Sequence, residues 1–206
     1  MKRVLTNFPN HIKGLALVVT LTLAIQLASA QKIQVLDNCD ALGDGANAWK
    51  GPAISVSTEK KEGKGALQST GFNIVPFNRV YATPFNTGVT KENGHLAFFL
   101  FIENTELLKG TGAIQLSSAA KASEDVYSIN IGDLKVNKVR LVNGWNHVVV
   151  PLSSITTVVG TPDLSKINYF RIVLYNKAGL ETPQTFKLDD IRFSSDPTLL
   201  AEITVK

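Results

Sequence analysis

The stretch His95-Leu-Ala-Phe-Phe-Leu-Phe-Ile102 decides the fold class of this sequence. Successive side chains of a β-strand point to opposite faces of the sheet. One face of this strand would carry Leu96, Phe98, Leu100 and Ile102, and the other His95, Ala97, Phe99 and Phe101. Because both faces are largely apolar, we predict a strand in the centre of a covered sheet.

Similar short runs follow one another along the chain and are separated by turn residues. They are rich in β-branched and aromatic residues, and helical periodicity never persists for three turns. A charged, glycine-bearing segment at 59–65 separates two of them, as the loop of a hairpin would. The pattern predicts an all-β fold with two antiparallel sheets packed as a sandwich. The runs are Ile33–Leu36, Ile54–Thr58, Ala66–Thr70, Arg79–Thr83, His95–Ile102, Ala113–Ser117, Val126–Ile131, His147–Val150, Tyr169–Tyr175 and Phe186–Phe193.

The first 30 residues have the layout of a secretory signal peptide. Lys2, Arg3 and Lys13 form a basic region, and an apolar stretch at 14–28 ends in Ala28-Ser29-Ala30. This order is typical of a cleaved signal. The alternative is an uncleaved membrane anchor, but the stretch is shorter than the roughly 20 residues that span a bilayer. We therefore predict cleavage after Ala30 and a periplasmic or extracellular protein with no membrane span after cleavage.

The charge of the remaining chain excludes some classes of partner. The formal net charge is +4, but three of the 21 basic residues lie in the predicted signal, which leaves 18 basic against 17 acidic residues. A nearly neutral domain lacks the basic footprint of a nucleic-acid-binding protein. Cys39 is the only cysteine, so an internal disulfide is excluded and the core must hold the fold.

Four segments resemble the jelly-roll carbohydrate-binding modules of secreted bacterial glycan-utilisation proteins. Asn143-Gly-Trp-Asn-His-Val-Val-Val-Pro-Leu152 is similar to a Gly-Trp, strand, Pro-Leu segment of these modules, and Asp163–Leu174 to the turn and strand that follow it. Leu188-Asp-Asp-Ile-Arg-Phe193 resembles their closing strand, and Glu62-Gly-Lys-Gly-Ala-Leu67 their second strand.

The resemblance implies a galactose-binding-like jelly roll over residues 31–193. Glycan sites in such modules lie on the concave sheet face or on the loops at one end. The tail at 194–206 goes beyond the pattern and is predicted to be an extra edge strand or a simple extension.

Sugar binding needs flat apolar rings and planar polar groups that hydrogen-bond to neighbouring hydroxyls. On a jelly roll these would come from outward-facing strand residues, although β-propensity alone also favours Tyr and Phe in strands. The candidates are Arg79, Tyr81, Phe99, Ser128, Asn130, Arg171 and Tyr175. Trp49 either caps one end of the sandwich or meets a ligand, and Trp145 is interpreted as packing against the core.

Acidic residues occur near both ends of the domain, and terminal strands of a jelly roll often lie side by side. Clustered carboxylates favour a hard cation such as Ca²⁺. The resemblance implies a structural calcium at Asp37, Asp40, Asp189 and Asp190, completed by backbone carbonyls near Gly63–Gly65. The alternative is that these are solvated surface acids.

Catalytic motifs are not found in the sequence. His95 and His147 are the histidines after the signal, and neither lies in a metalloprotease or hydrolase motif. A jelly-roll polysaccharide lyase needs a tyrosine, a histidine and an arginine together, and Tyr81, His95 and Arg171 are the candidates for that group if their strands converge. The sequence therefore predicts a non-catalytic domain that binds a polysaccharide or oligosaccharide on the concave sheet face. The alternatives are a structural or adhesive surface protein with a protein partner and, less favoured, a polysaccharide lyase.

Overall fold

The structure is a computed structural model and describes residues 33–136 and 138–201. The predicted signal peptide and its cleavage site lie outside the described residues. Within the described residues there are thirteen β-strands, four short 3₁₀ turns and no α-helix. No helix in this part of the chain could therefore cross a membrane. The strands form two antiparallel sheets, which confirms the predicted β-sandwich.

The first sheet has six strands, and its centre is formed by the last strand of the described residues. Strand β13 (Gln184–Ser194) lies between β5 (His95–Ile102) and β3 (Ala66–Gly71). Strand β10 (Gly144–Pro151) pairs with the outer edge of β5, and β2 (Ser55–Ser57) pairs with β3. Strand β1 (Gln34–Asp37) pairs with the end of β13.

The second sheet has seven strands and carries the face discussed below. Strand β12 (Ile167–Asn176) lies between the edge strand β4 (Ile74–Phe85) and β6 (Leu108–Ser117). The sheet continues through β7 (Val126–Gly132), β8 (Lys135–Val136) and β9 (Val139–Arg140), and β11 (Thr157–Val159) also pairs with β7. Strands β8, β9 and β11 were not predicted, because runs of two or three residues are too short to show alternation.

The core lies between the sheets and follows the predicted alternation. In β5 the inner side chains are Leu96, Phe98, Leu100 and Ile102, and in β12 they are Phe170, Ile172 and Leu174. Phe98, Phe170, Phe186 and Phe193 are among its largest fully buried side chains. Burying such a side chain contributes about 1.5–3 kcal/mol, so the core can hold the fold without a disulfide.

A β-bulge in β13 changes which of its side chains face the core. The register against β5 shifts between Asp189 and Arg192, and Asp190 has a φ of +51°. An extra residue on one strand moves the side chains after it to the other face. The apolar spacing accordingly lengthens from Phe186 and Leu188 to Ile191 and Phe193.

The C-terminal tail turns back onto the domain. Residues Pro197–Leu200 form a 3₁₀ turn whose first N–H groups are capped by Asp196, and Leu200 is buried. The structure describes the predicted tail up to residue 201. In this part no edge strand forms, and the buried Leu200 packs the tail against the domain after the end of β13.

Candidate functional site

The composition of the outer face of the seven-stranded sheet follows directly from the alternation in β12. Because Phe170, Ile172 and Leu174 point into the core, Tyr169, Arg171, Val173 and Tyr175 point away from it. The same argument places Gln115 on the outer side of β6, between the buried Ile114 and Leu116. We call the surface formed by Asn78, Gln115, Tyr169, Arg171 and Tyr175 the Arg171 face.

Polar side chains form one row across this face. In the strand register Arg171 lies opposite Asn78 on one side and Gln115 on the other, and Gln115 lies opposite Ser128. Neighbouring strands are about 4.8 Å apart, so the row presents polar groups at a regular short spacing. Arg171 Nη1 donates to Gln115 Oε1 at 3.5 Å. This contact orients a guanidinium that carries five N–H donors in one plane.

Tyrosines lie on either side of the row. Tyr169 and Tyr175 are each an even number of residues from Arg171 and share its face. Tyr169 is only 8% exposed, and burial raises its pKa. Tyr175 is half-buried and offers more of its ring to solvent. In such an arrangement an aromatic ring can contact the C–H face of a sugar, while the guanidinium of Arg171 donates hydrogen bonds to its hydroxyls.

The structure brings only part of the predicted ligand set together. Asn130 lies on the same outer face, one row from Arg171, because Ala113 pairs with both Asn130 and Val173. Phe99 lies in β5 on the outer face of the other sheet and is nearly buried. Arg79 and Tyr81 belong to β4 but point inward. The predicted residues are therefore divided among three separate surroundings.

The inward direction of Arg79 and Tyr81 follows from where β4 begins. The strand starts at Ile74 rather than at Arg79, and Val75 and Phe77 point into the core. Arg79 and Tyr81 continue that inward series. The sequence already contained this alternation, but Pro76 interrupts it. Proline is tolerated in edge strands, and β4 is an edge strand.

Arg79 forms the centre of an internal polar cluster with Asp37. Arg79 Nη1 and Asp37 Oδ2 are 2.5 Å apart, and Arg79 Nε donates to the carbonyl of Asn47 at 2.8 Å. The guanidinium carbon lies 5.1 Å from the ring centre of Tyr81 and 5.9 Å from that of Trp49. Burial, reinforced by the Asp37 charge, raises the pKa of Tyr81 well above its ordinary value. These groups stabilise one end of the fold. Because they point between the sheets, they are not on the outer face of either sheet.

Of the two tryptophans, Trp49 takes the capping position that was one of its two expected places, whereas Trp145 lies elsewhere than expected. Trp49 is 2% exposed, packs edge-on against Phe170 and donates from Nε1 to Asp37 at 3.1 Å. It caps the sandwich and presents no ring face to a ligand. Trp145 was interpreted as a core residue, but it is half-buried on the outer face of the six-stranded sheet, edge-on to Phe101.

The outer face of the six-stranded sheet carries aromatic rings that already have partners. Phe99 stacks on His147 with ring centres 4.7 Å apart, and Lys61 Nζ lies 5.8 Å from the Phe99 ring centre. Lys187 Nζ lies 4.8 Å from the Phe101 ring centre and forms an ion pair with Glu59. The charged loop at 59–65 therefore interacts with this face.

The four predicted metal ligands do not form a single cage. Asp37 pairs with Arg79 and Asp190 with Arg192. Asp40 and Asp189 accept hydrogen bonds from backbone N–H groups of the loop at 61–65. Asp189 Oδ2 accepts from Lys61 and Glu62 at 2.8 and 2.9 Å, and Asp40 Oδ1 accepts from Gly65 at 2.8 Å.

One oxygen in this region is left for a cation. Asp189 Oδ1 is buried without a hydrogen-bond partner, whereas Asp37 and Asp190 do not fit a cation site because arginine neutralises them. Across residues 33–136 and 138–201 no group of three or more His, Cys, Asp or Glu side chains could hold a metal ion. A calcium ion at Asp189 would thus need backbone ligands.

The residues of a polysaccharide lyase do not converge. His95 is in the six-stranded sheet, Arg171 is on the outer face of the seven-stranded sheet, and Tyr81 points inward from β4. The arrangement considered from the sequence is therefore not formed.

Sequence reasoning missed three residues of the Arg171 face, of which Tyr169 shares the alternation of Arg171 but is nearly buried. Gln115 lies between Ile114 and Leu116, and this polar position in an apolar run was the available signal. Asn78 gave no such signal, because its position beside Arg171 depends on the pairing of β4 with β12. Its Nδ2 donates to the carbonyl of Lys50 at 3.1 Å, which holds the amide at the edge of the face.

Comparison with solved structures identifies β-sandwich relatives of this fold. The structure superposes on part of an exo-β-agarase with a TM-score of 0.50 and 12% identity, covering 79% of this chain and 26% of that chain. This chain thus spans about a quarter of the agarase's length. A family 30 carbohydrate-binding module of a cellulosomal cellulase of Clostridium thermocellum superposes with a TM-score of 0.46 and 18% identity. The match covers 81% of this chain and 97% of the module.

A family 11 carbohydrate-binding module from Clostridium thermocellum was solved in complex with a β-1,3-1,4-mixed-linked tetrasaccharide. It superposes with a TM-score of 0.47 and 12% identity, and the match covers 78% of this chain and 94% of the module. No protein-family model matches the sequence, and the comparison with curated proteins found no match. At 12% identity the superposition on the exo-β-agarase concerns the fold alone, and it agrees with the β-sandwich described above.

Proposed function

We propose that this protein is a non-catalytic carbohydrate-binding domain that takes a polysaccharide or oligosaccharide on the Arg171 face. The observation that carries the proposal is the position of Arg171 in a polar row with Asn78 and Gln115, between two tyrosines, on an outer sheet face. The similarity of the fold to carbohydrate-binding modules supports the same class of ligand.

The side chains on this face suit the chemistry of sugars. A pyranose ring presents C–H groups on its faces and hydroxyls around its rim, so it needs a flat apolar surface and paired hydrogen bonds at once. The exposed part of the Tyr175 ring supplies the first, and the guanidinium and amide groups of Arg171 and Gln115 supply the second. A shallow sheet face buries little area, so we expect a Kd on the order of 10⁻⁵ to 10⁻³ M.

The same groups favour binding over hydrolysis. A glycosidase of the usual kind places two carboxyl groups on either side of the scissile bond. The described side chains beside Arg171 in its row are the amides of Asn78 and Gln115 and the hydroxyl of Ser128. These can orient a sugar but cannot serve as a glycosidase acid and base.

The proposal places the protein outside the cytoplasm. The basic region, apolar stretch and Ala28-Ser29-Ala30 pattern support export and cleavage. Polymeric glycans occur in the periplasm, at the cell surface and in the medium, where such a domain would meet its ligand.

The test is electrophoresis of the purified protein through gels containing soluble polysaccharides. The panel is mixed-linkage β-glucan, hydroxyethyl cellulose, low-melting agarose, xylan and alginate. We expect at least one of them to retard the wild-type protein, and Arg171→Ala to weaken that retardation by about tenfold in apparent affinity, as for the loss of a charged hydrogen bond.

Arg140→Ala is the matched control, because Arg140 is exposed on β9, four strands away in the same sheet. It should migrate like the wild type. A protein that no polysaccharide retards, or an Arg171→Ala variant that folds and binds normally, would overturn the proposal.

A further inference from the structure

An exposed phenylalanine lies at the tip of the turn that joins the two sheets. Phe72 lies between β3 and β4, and 49% of it is exposed. Ile74, which begins β4, is 48% exposed. Because both side chains line the same pocket, they form a small exposed apolar patch rather than two isolated residues.

The turn that carries Phe72 is held in place by the buried residue Asn176, through its backbone and its side chain. The backbone N–H of Asn176 donates to the carbonyl of Asn73 at 2.8 Å, and Asn176 Nδ2 donates to the carbonyl of Gly71 at 2.9 Å. Asn176 is 2% exposed. The residues on both sides of Phe72 are thus fixed to β12, and the ring is presented on a rigid support. Such preorganisation lowers the entropy cost of binding.

A pocket opens beside this turn, and its opposite wall is also held firmly. Pro52, Ala53 and Pro183 line it together with Thr70 and the clamped turn. The carbonyl of Pro52 accepts from the Thr70 N–H at 3.0 Å and from Ser69 Oγ at 2.8 Å. A Cβ on Gly71 would come within 3.0 Å of the Pro52 ring. The glycine is therefore what allows the turn and the wall to approach so closely.

The pocket is continuous with the Arg171 face. Ile74 lines the pocket and is the strand partner of Tyr175, whose ring lies on that face. Tyr175 is four residues from Arg171, which is about 13 Å along an extended strand. A ligand lying on Arg171 and Tyr175 would reach Ile74 next and then the ring of Phe72.

We infer that this pocket, which we call the Phe72 pocket, binds the end of the glycan chain whose other units lie on the Arg171 face, and that it selects a neutral sugar there. The inference rests on the proposed function and deepens it. The side chains that line the pocket are apolar apart from Thr70 and Asn73, and none carries a charge. A uronic acid would lose hydration there without gaining a cationic partner, whereas the C–H face of a neutral sugar can stack on Phe72.

The test is calorimetry of the purified protein with cellohexaose, laminarihexaose, neoagarohexaose and a hexamer of mannuronic acid. We expect a neutral hexasaccharide to bind more tightly than the acidic one, and Phe72→Ala to weaken its binding by about tenfold, by analogy with the loss of one base–aromatic stacking contact. Val142→Ala is the matched control, because Val142 is 53% exposed and does not line the pocket. Both variants should keep the wild-type melting temperature.

A second readout reports the pocket directly. Phe72→Trp should show a change in tryptophan emission on addition of the hexasaccharide, whereas Val142→Trp should not. If Arg171→Ala abolishes binding while Phe72→Ala and Phe72→Trp report no change, the inference is overturned and the proposed function stands. Preference for the acidic hexamer would overturn the selectivity for a neutral sugar. If no glycan binds here or in the electrophoresis panel, the proposed function itself fails.

Discussion

The guanidinium of Arg79 and the carboxylate of Asp37 form an ion pair at the interior end of the sandwich, with the Asp37 side chain only 6% exposed. Asp37 also accepts from the N–H of Cys39, from Trp49 Nε1 and from the hydroxyl of Tyr81. The pair thus joins β1 of one sheet to β4 of the other.

Removing Arg79 should destabilise the fold rather than weaken ligand binding. Arg79→Ala leaves the Asp37 carboxylate buried without its counter-ion, and we expect the free energy of unfolding to fall by about 3 kcal/mol. Urea denaturation followed by tryptophan fluorescence measures this change. Arg140→Ala should stay within about 0.5 kcal/mol of the wild type. Equal stability of the two variants would show that the ion pair contributes little.

Substitution of the two tyrosines of the Arg171 face should have different effects, one on folding stability and the other on ligand affinity. Tyr169 is nearly buried, so we expect Tyr169→Ala to cost about 2–4 kcal/mol of folding stability, as truncation of a packed aromatic residue does. Tyr175→Ala should lower affinity for the retarding polysaccharide about tenfold and keep the melting temperature within a few degrees. Thermal melting and affinity electrophoresis of both variants test this, and a Tyr175→Ala protein that is strongly destabilised would contradict it.

Acidification from pH 7 to pH 5 should raise the contribution of the buried Asp189 to the free energy of unfolding. Burial raises the pKa of Asp189 to about 6 from its ordinary 3.8, although the N–H groups of Glu62 and Lys61 oppose the shift. Between these values the folded state holds a proton that the unfolded state has released. The contribution of Asp189 therefore makes the free energy of unfolding rise as pH falls through this window, and become constant above about pH 7.

The pH effect is measured by urea denaturation at several pH values between 4 and 8. We expect Asp189→Asn to flatten the slope by about 1–3 kcal/mol across the window, since one unit of pKa corresponds to about 1.4 kcal/mol. Asp44→Asn, at an exposed carboxylate, is the control and should keep the wild-type slope. A wild-type slope in Asp189→Asn would assign the dependence to other groups.

Calcium binding remains a prediction and depends now on Asp189. A cation that binds only the folded state raises the melting temperature, by a few degrees when its concentration is well above the Kd. We expect melting in calcium to exceed melting in chelator, and Asp189→Ala to remove the difference. Magnesium at the same concentration controls for ionic strength. Identical curves with calcium and with chelator would reject the site.

Export predicts a defined N-terminus. The Ala28-Ser29-Ala30 pattern places cleavage before Gln31. Intact-mass spectrometry of the secreted or periplasmic protein should give a chain that starts at Gln31, with or without cyclisation of that residue. A recovered chain that retains Met1 would contradict the prediction, and Ala30→Arg should block processing.

The sequence predicted the sheets better than it predicted the site, and Arg79 explains why. Alternation alone tells which residues share a face, and in β5 and β12 that was enough because one face is uniformly apolar. The predicted strand for Arg79 and Tyr81 began at Arg79, because Pro76 interrupts the alternation. It therefore did not show that these two residues share the inward face of Val75 and Phe77. The extra residue at Asp190 likewise left a signal only in the apolar spacing between Leu188 and Ile191.

Contacts between distant segments could not be obtained from local patterns. Gln115 and Asn78 flank Arg171 only because β6 and β4 pair with β12, and the pairing of strands so far apart in sequence is a property of the whole fold. The same holds for Phe72, whose surroundings come from Pro52, Asn176 and Pro183. The interpretation of Trp145 as a core residue was wrong because the inner positions of β10 are taken by Val148 and Val150.

The central place of β13 in the six-stranded sheet has a consequence for how the chain reaches its folded state. Strands β3, β5 and β1 all pair with it, so that sheet cannot assemble until Gln184–Ser194 is available. Folding dominated by such long-range pairing is slow. The six-stranded sheet therefore closes over the hydrophobic core only after the ribosome has released Gln184–Ser194.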